Sequence, residues 1–263
     1  MSNFIAGGCS FTFGNELSDD NGKVYSKNTW SHLLYKHSQI QGEYICTAKG
    51  GLGNPAIARR MFNAIHNYDA EMVVVMWSFL SRYDWAMPRH RVLDEKRWAS
   101  ISPWDTNAGN EEAFRSLQGS ETAVEDWKIR QKDFIDSGVR PFAESLYKHA
   151  ANEYHETYLS WKSIIWLQNL LEKKGIKYMF TLADNSLFYR EIYPHNKQDR
   201  LLENLHKEID FTKWYFFGER QMGFNQWALL NDYERATTHP LDKAHQDATI
   251  LMQPKFNEIF GGK

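Results

Sequence analysis

Cysteine is scarce in this chain, with Cys9 and Cys46 the two among 263 residues. Two thiols exclude a disulfide framework and a Cys-built zinc site, so a reducing compartment is expected, cytoplasmic or a virion assembled in one. Charge of one sign is scarce too. A formal net charge of -2 leaves no basic footprint for nucleic acid. No apolar run approaches the roughly 20 residues of a membrane span, so no membrane partner is expected. The first residues lack a basic segment followed by a long apolar one, and no secretory leader is expected. Repeats, low-complexity tracts and Pro/Gly/Ser-rich linkers are missing, so 263 residues read as a single domain. Aromatics, in contrast, are abundant at 15%, with 10 Trp. Such an excess belongs to a large core, a carbohydrate-facing cleft or a partner surface.

The first third alternates two periodicities. Phe4-Ile5-Ala6 reads as a strand running into Gly7-Gly8-Cys9-Ser10-Phe11-Thr12-Phe13-Gly14. Two glycines before Ser10 allow a sharp turn that presents a small nucleophile at the strand's carboxyl end. Trp30, Leu33, Leu34 and His37 recur at helical spacing behind a Thr29 cap. Glu43 to Thr47 is a second strand. The loop Gly50-Gly51-Leu52-Gly53-Asn54-Pro55 opens a helix, with Asn54 as cap and Pro55 in its first turn. Val73-Val74-Val75-Met76 is continuous and apolar, as in a strand covered on both faces. This alternation predicts a doubly wound α/β sheet. The pattern breaks at about 84–150 and again at about 184–235, two insertions, the first expected to hold short helices. Tyr154 to Lys174 is an amphipathic helix stopped by Gly175, with Tyr158, Trp161, Ile165 and Leu170 as its apolar positions. Ile176 to Thr181 is strand four, Lys213 to Phe217 strand five, and a last helix runs from Leu241 to Phe260.

Ser10, the Gly50–Asn54 loop, Ser78 to Arg82 and His239 each fall at the carboxyl end of a strand or before the last helix. In a doubly wound sheet these ends share one edge. Their residue types suit acyl transfer. A serine hydroxyl needs a base, His is the usual one near neutral pH, and the tetrahedral intermediate needs donors at its oxyanion. Ser10 is the candidate nucleophile and His239 the candidate base, with His245 its rival. Gly51 is the candidate oxyanion donor and Gly53 its rival, with Asn54 or Arg82 as side-chain donors. Cys9 is expected to point away from Ser10 as a small buried hydrophobe. His149 and His155 lie six residues apart beside Glu153 and Glu156, without a His-Glu-x-x-His pattern, and read as a solvated helix surface, so no metal is assigned. Trp85, Trp98, Trp104 and Trp127 either line a sugar cleft or glue the insertion to the body.

The blocks Gly8-Cys9-Ser10, Ala48-Lys49-Gly50-Gly51-Leu52-Gly53-Asn54 and His239-Pro240, in this order and spacing, resemble the SGNH (GDSL-type) hydrolases. The Gly-Cys-Ser-Phe-Thr-Phe-Gly variant is most similar to divergent members found in phages and some bacteria. The resemblance implies a three-layer α/β/α sandwich, flavodoxin-like, with a five-stranded parallel sheet. It implies hydrolysis of an acyl ester without metal or organic cofactor, through Ser10 and His239, with Ser10's own N–H and Gly51 in the oxyanion hole. The expected substrate is a small-molecule or carbohydrate ester, such as an O-acetylated sugar. Nothing in the sequence assigns an oligomeric state.

Two positions depart from the family pattern. Its third block, Gly-x-Asn-Asp, is replaced by Trp77-Ser78-Phe79-Leu80-Ser81-Arg82, leaving Arg82 or Ser78 as substitute donors. Its acid, three residues before His, is replaced by Ala236. Neutralising such an acid costs on the order of 10⁴ in rate. Asp232, Glu234 or Asp242 stands in for it, or a backbone carbonyl orients the ring. The alternatives are a binding or assembly module that has lost catalysis, and an acyltransferase on the same residues.

Overall fold

The computed structural model describes residues 2–87, 98–107, 138–189 and 200–261, with single residues at 111, 115, 124, 125, 128, 129 and 132. Trp127 and parts of both insertions, including 88–97 and 190–199, lie outside the described residues.

Strands β1 (Asn3–Gly7), β2 (Tyr44–Cys46), β3 (Ala70–Trp77) and β6 (Lys177–Leu182) form one parallel sheet in the order β2-β1-β3-β6. The central strand β3 is buried from Met72 to Trp77, because helices cover both faces. Helices α3 (Asn54–Asn67) and α5 (Glu153–Lys173) pack together on one face, and α2 (Trp30–His37) with α9 (Asp242–Phe260) on the other. The result is the expected α/β/α arrangement. In α5 the buried stripe is Trp161, Ile164, Leu167 and Leu171; the expected Tyr158, Ile165 and Leu170 lie on its flank, partly buried.

Among the described residues the main sheet has four strands and not five. Trp214 makes one parallel bridge to Phe180, and Tyr215 N–H donates to Phe180 O at 2.8 Å, but no ladder continues. A 3-10 turn at Phe211–Lys213, held by Asp210, brings the chain in already turning. Phe217 N–H then turns to Met222 O, 3.0 Å away. The aromatic run packs as a cluster instead, with Trp214 stacked on Phe216 at 5.6 Å.

The first insertion begins as an antiparallel ribbon of β4 (Tyr83–Ala86) and β5 (Trp98–Ile101), and helical pieces of the expected kind follow at Pro103–Asp105 and Val139–His149. Alternation gives the ribbon two working faces. Tyr83 and Ile101 join Val139 and Ala143 of α4 (Val139–His149) in a second small core. Asp84 and Ser100 face the body. Asp84 receives a bidentate pair from Arg59 of α3, at 2.6 and 3.0 Å. That guanidinium also lies over Trp98, 4.3 Å from its centroid. Trp85 packs against Phe142 of α4. The second insertion carries short helices α6 (Ser186–Tyr189), α7 (Leu201–Lys207) and α8 (Phe224–Leu230). No described helix is long and apolar enough to cross a membrane.

Candidate active site

Strand β1 ends at Gly7, and the chain turns at Gly8 into a one-turn helix, α1 (Ser10–Phe13), closed by Gly14 in the left-handed region. A side chain on Gly8 would collide with Thr12, so the turn is tight enough to admit glycine alone. Cys9, fully buried, precedes α1 and supplies a carbonyl to Thr12 and Phe13 N–H. Ser10 therefore opens the helix at the carboxyl edge of the sheet.

His239 arrives from the other end of the chain on a tight loop before α9. Arg235 and Pro240 form an antiparallel bridge, Ala236 N–H donates to His239 O at 3.0 Å, and Arg235 Nη2 donates to Thr238 O at 2.6 Å. The loop sets the imidazole edge-on to Phe11, 4.8 Å between centroids. Its Nε2 lies 2.8 Å from Ser10 Oγ.

The carboxylate at the far side of the ring is Glu16. Its Oε2 lies 2.8 Å from His239 Nδ1, and also accepts from His239 N–H and Thr238 N–H, each at 3.0 Å. Burial pushes the Glu16 carboxyl up, but the His239 hydrogen bond, the Thr238 N–H and the neighbouring imidazole charge outweigh it and hold the pKa at about 2. An ionised carboxylate only accepts, so Nδ1 carries the proton and Nε2 is left as acceptor for the Ser10 hydroxyl. Ser10, His239 and Glu16 thus form one hydrogen-bonded chain across 229 residues of sequence.

Glu16 itself sits at φ 68, a left-handed conformation that a non-glycine residue adopts at a cost. Its N–H donates to Asp20 Oδ2 at 2.8 Å. Asp19 accepts from Lys27 N–H at 2.7 Å and pairs with Ser26. Asp242 accepts from Ser18 N–H, Ser18 Oγ and Asn28 Nδ2 at 3.0, 2.7 and 2.7 Å. Loop 14–29 is thereby folded on its own short carboxylates and pinned to α9.

None of the three acids expected near His239 meets the ring. Asp242 spends its carboxylate on Ser18 and Asn28, while Asp232 and Glu234 are exposed. Ala236, at the family's acid position, contributes only backbone. The rival base, His245, is fully buried in α9 and accepts from Trp30 N–H through Nδ1 at 3.2 Å; burial and the nearby His239 press its pKa down to about 3. A residue so desolvated and so engaged is a packing element. Glu16 escaped the sequence reading although the only signal was plain: an acid run, Glu16, Asp19 and Asp20, directly after the Ser10 block.

Loop 50–53 follows β2, the strand beside β1. Gly50 abuts the Asn15 side chain, since a Cβ there would come within 3.1 Å of Asn15 Oδ1. Gly51 has φ 80, a left-handed conformation that favours glycine. Arg82 Nη1 donates to Leu52 O at 3.2 Å and to Ser78 Oγ at 3.0 Å, and the guanidinium covers Phe79. Asn54 is neither cap nor oxyanion donor. Gly53 is the N-cap of α3, and the buried Asn54 amide donates to Ser78 O and Ser160 Oγ and accepts from Ser78 N–H at 2.7 Å. It bolts the end of β3 to α3 and α5. His149 and His155 are exposed.

No family model and no curated protein matches this chain. Solved structures do. The esterase EstA from Pseudoalteromonas sp. is similar at 13% identity with a TM-score of 0.47, covering 100% of both chains. A G-D-S-L family lipolytic protein from Veillonella parvula is similar at 10% identity and a TM-score of 0.44, again over 100% of both. Axe2, an acetylxylan esterase from Geobacillus stearothermophilus, is similar at 11% identity and a TM-score of 0.41, over 100% of this chain and 95% of its own.

Proposed function

We propose that this protein is an SGNH-type serine hydrolase that cleaves acyl esters through Ser10, His239 and Glu16. The observation that carries the reading is the continuous bond chain, Ser10 Oγ to His239 Nε2 at 2.8 Å and His239 Nδ1 to Glu16 Oε2 at 2.8 Å. His239 Nε2 takes the Ser10 proton as Oγ attacks the ester carbonyl carbon. The oxyanion forms against the backbone N–H of Ser10 and of Gly51. Collapse breaks the bond to the leaving oxygen, which leaves with the proton from Nε2 as an alcohol. A water then gives its proton to Nε2 and its oxygen to the acyl carbon, releasing the acid and restoring Ser10. Glu16 stays ionised throughout and stabilises the imidazolium between the two proton transfers.

Arg82 acts on this reading through Leu52 and Ser78 and shapes the oxyanion loop. The substrate class we favour is a short acyl group on a carbohydrate hydroxyl. Trp85, Trp98 and Trp104 keep 47%, 40% and 40% of their surface open on and beside the inserted ribbon, and indole faces stack on sugar rings. A missing acid at Ala236 and a missing third-block Asn were the arguments for a non-catalytic module, and Glu16 beside His239 speaks against the first.

The test is turnover of p-nitrophenyl acetate by wild type and Ser10→Ala, with labelling by diethyl p-nitrophenyl phosphate. A competent Ser10 captures the phosphoryl group and releases p-nitrophenolate. Turnover by wild type alone, with label on Ser10, is expected. Equal rates in both proteins, or label elsewhere, would sink the assignment.

A further inference from the structure

The loop that supplies Gly51 is held by residues no block of the family pattern contains. Ser100, on the body-facing side of β5, donates through Oγ to Gly51 O at 3.2 Å and accepts from Gly53 N–H at 3.2 Å. Leu52 O, in the same peptide as Gly53 N–H, is held by Arg82. Three consecutive residues are thus fixed by one hydroxyl and one guanidinium. Gly53 also packs directly on the Arg82 backbone, where a Cβ would come within 2.5 Å of Arg82 O. A left-handed glycine is the least restrained kind of residue, because its φ is cheap to change. Without Ser100, Gly51 O loses its side-chain partner, and the Gly51–Leu52 peptide is left with the longer Leu52 N–H bond to Lys49 O at 3.4 Å, so the planes on either side of this glycine are held less firmly.

The ribbon that carries Ser100 is itself well fixed. The Asp84 to Arg59 pair ties it to α3, and the second core ties it to α4. The Tyr147 hydroxyl of α4 is shared between Ser81 O at 2.6 Å and Ile101 O at 3.1 Å, tying the approach to β4 to the end of β5. This is a rigid support for a flexible loop, the arrangement that preorganised donors require.

We propose that Ser100 is a positioning residue for the oxyanion loop, and that the first insertion serves the site by bracing the Gly51 peptide. The inference rests on the Ser10 hydrolase reading. Ser100 touches no reacting atom; it orients the loop whose N–H does. Its loss therefore lowers kcat with little change in KM, because the oxyanion exists only after attack.

The experiment compares Ser100→Thr with Ser100→Val, which share a shape and differ in the hydroxyl. With p-nitrophenyl acetate, Val is expected to fall roughly tenfold below Thr in kcat, about the worth of one net hydrogen bond, with KM within about twofold. Phosphorylation of Ser10 by diethyl p-nitrophenyl phosphate slows in parallel. The acid limb of the pH–rate profile stays in place, as a displaced His239 would not allow. Thermal melting by circular dichroism checks folding, and Ser100→Ala replaces Val if the branched side chain unfolds the ribbon. Equal kcat for the two variants, in a wild type that labels at Ser10, overturns the brace alone. A wild type that neither turns over ester nor labels overturns the hydrolase reading, and the brace falls with it.

Discussion

The loop that follows Ser10 holds a carboxylate against His239; the loop that follows β2 is a run of neutral peptides. The Glu16 loop is organised by charge. Asp19, Asp20 and Asp242 accept its backbone and hydroxyl donors, and Glu16 gathers the Thr238 and His239 N–H groups on one oxygen. The Gly51 loop is organised by a hydroxyl, a guanidinium and glycines. On the hydrolase reading proposed above, the difference follows from what each loop would do. Orienting an imidazole and stabilising its protonated form needs a fixed negative charge, and a carboxylate in a network of N–H donors stays ionised. Binding a developing oxyanion needs N–H groups that no carboxylate has claimed. An acid in the Gly51 loop would compete with the oxyanion for the same donors.

The comparison can be broken at four places. The largest effect belongs to the shared centre. His239→Ala is expected to lower kcat on p-nitrophenyl acetate by about 10⁴–10⁶, since triad members act as a unit. A loss under about tenfold would leave both sides without the base they serve.

Next comes the acid side itself. Glu16→Gln keeps the shape and removes the charge, and a loss of about 10²–10⁴ in kcat is expected. The same variant tests stability against pH. The Glu16 carboxyl sits at about 2 in the folded protein against an ordinary 4.5. A pKa depressed on folding gives stability that is complete above 4.5 and is lost as pH falls through 2. The wild-type melting temperature should therefore fall more steeply than that of Glu16→Gln across that window. Parallel curves would mean that Glu16 is not held by the His239 loop.

A third variant separates support from chemistry. Asn54→Ala leaves Ser78 N–H and O buried without their partner, and a cost of about 2–3 kcal/mol in stability is expected from denaturant unfolding. If Asn54 were an oxyanion donor, kcat would collapse at unchanged stability. The smallest effect is at Asp242→Asn, which weakens the Ser18 anchor two residues from Glu16. About 1 kcal/mol of stability and a few-fold loss of kcat are expected. An effect as large as that of Glu16→Gln would return Asp242 to candidacy as the acid.

Much of the fold was legible in the sequence because it rests on period. The Val73–Met76 run, the Trp30–His37 helix behind Thr29 and the Gly175 stop each follow from local rules, and each stands where expected. The fifth strand was misread because Trp214 to Phe217 has strand-like composition but spends it on ring packing. The inserted ribbon left no clear period in the sequence because its apolar face is short and, among the described residues, its buried core is four side chains.

For the candidate site, the sequence by itself singled out Ser10 and His239, which the fold brings within 2.8 Å of each other. Ser10 follows β1, Gly51 follows β2 and His239 precedes the last helix, and parallel strands bring such ends to one edge whatever the loops do. Only the tertiary structure decided which acid faces His239, which side chain steadies Gly51 and what Asn54 does. Those depend on loops folding over one another from positions 16, 100 and 239, and the physical reason is range. A hydrogen bond of 2.8 Å between Glu16 and His239 leaves no periodic trace in either segment. The acid run after Gly14 shows that carboxylates are available there, and only the path of the chain puts one of them against the ring.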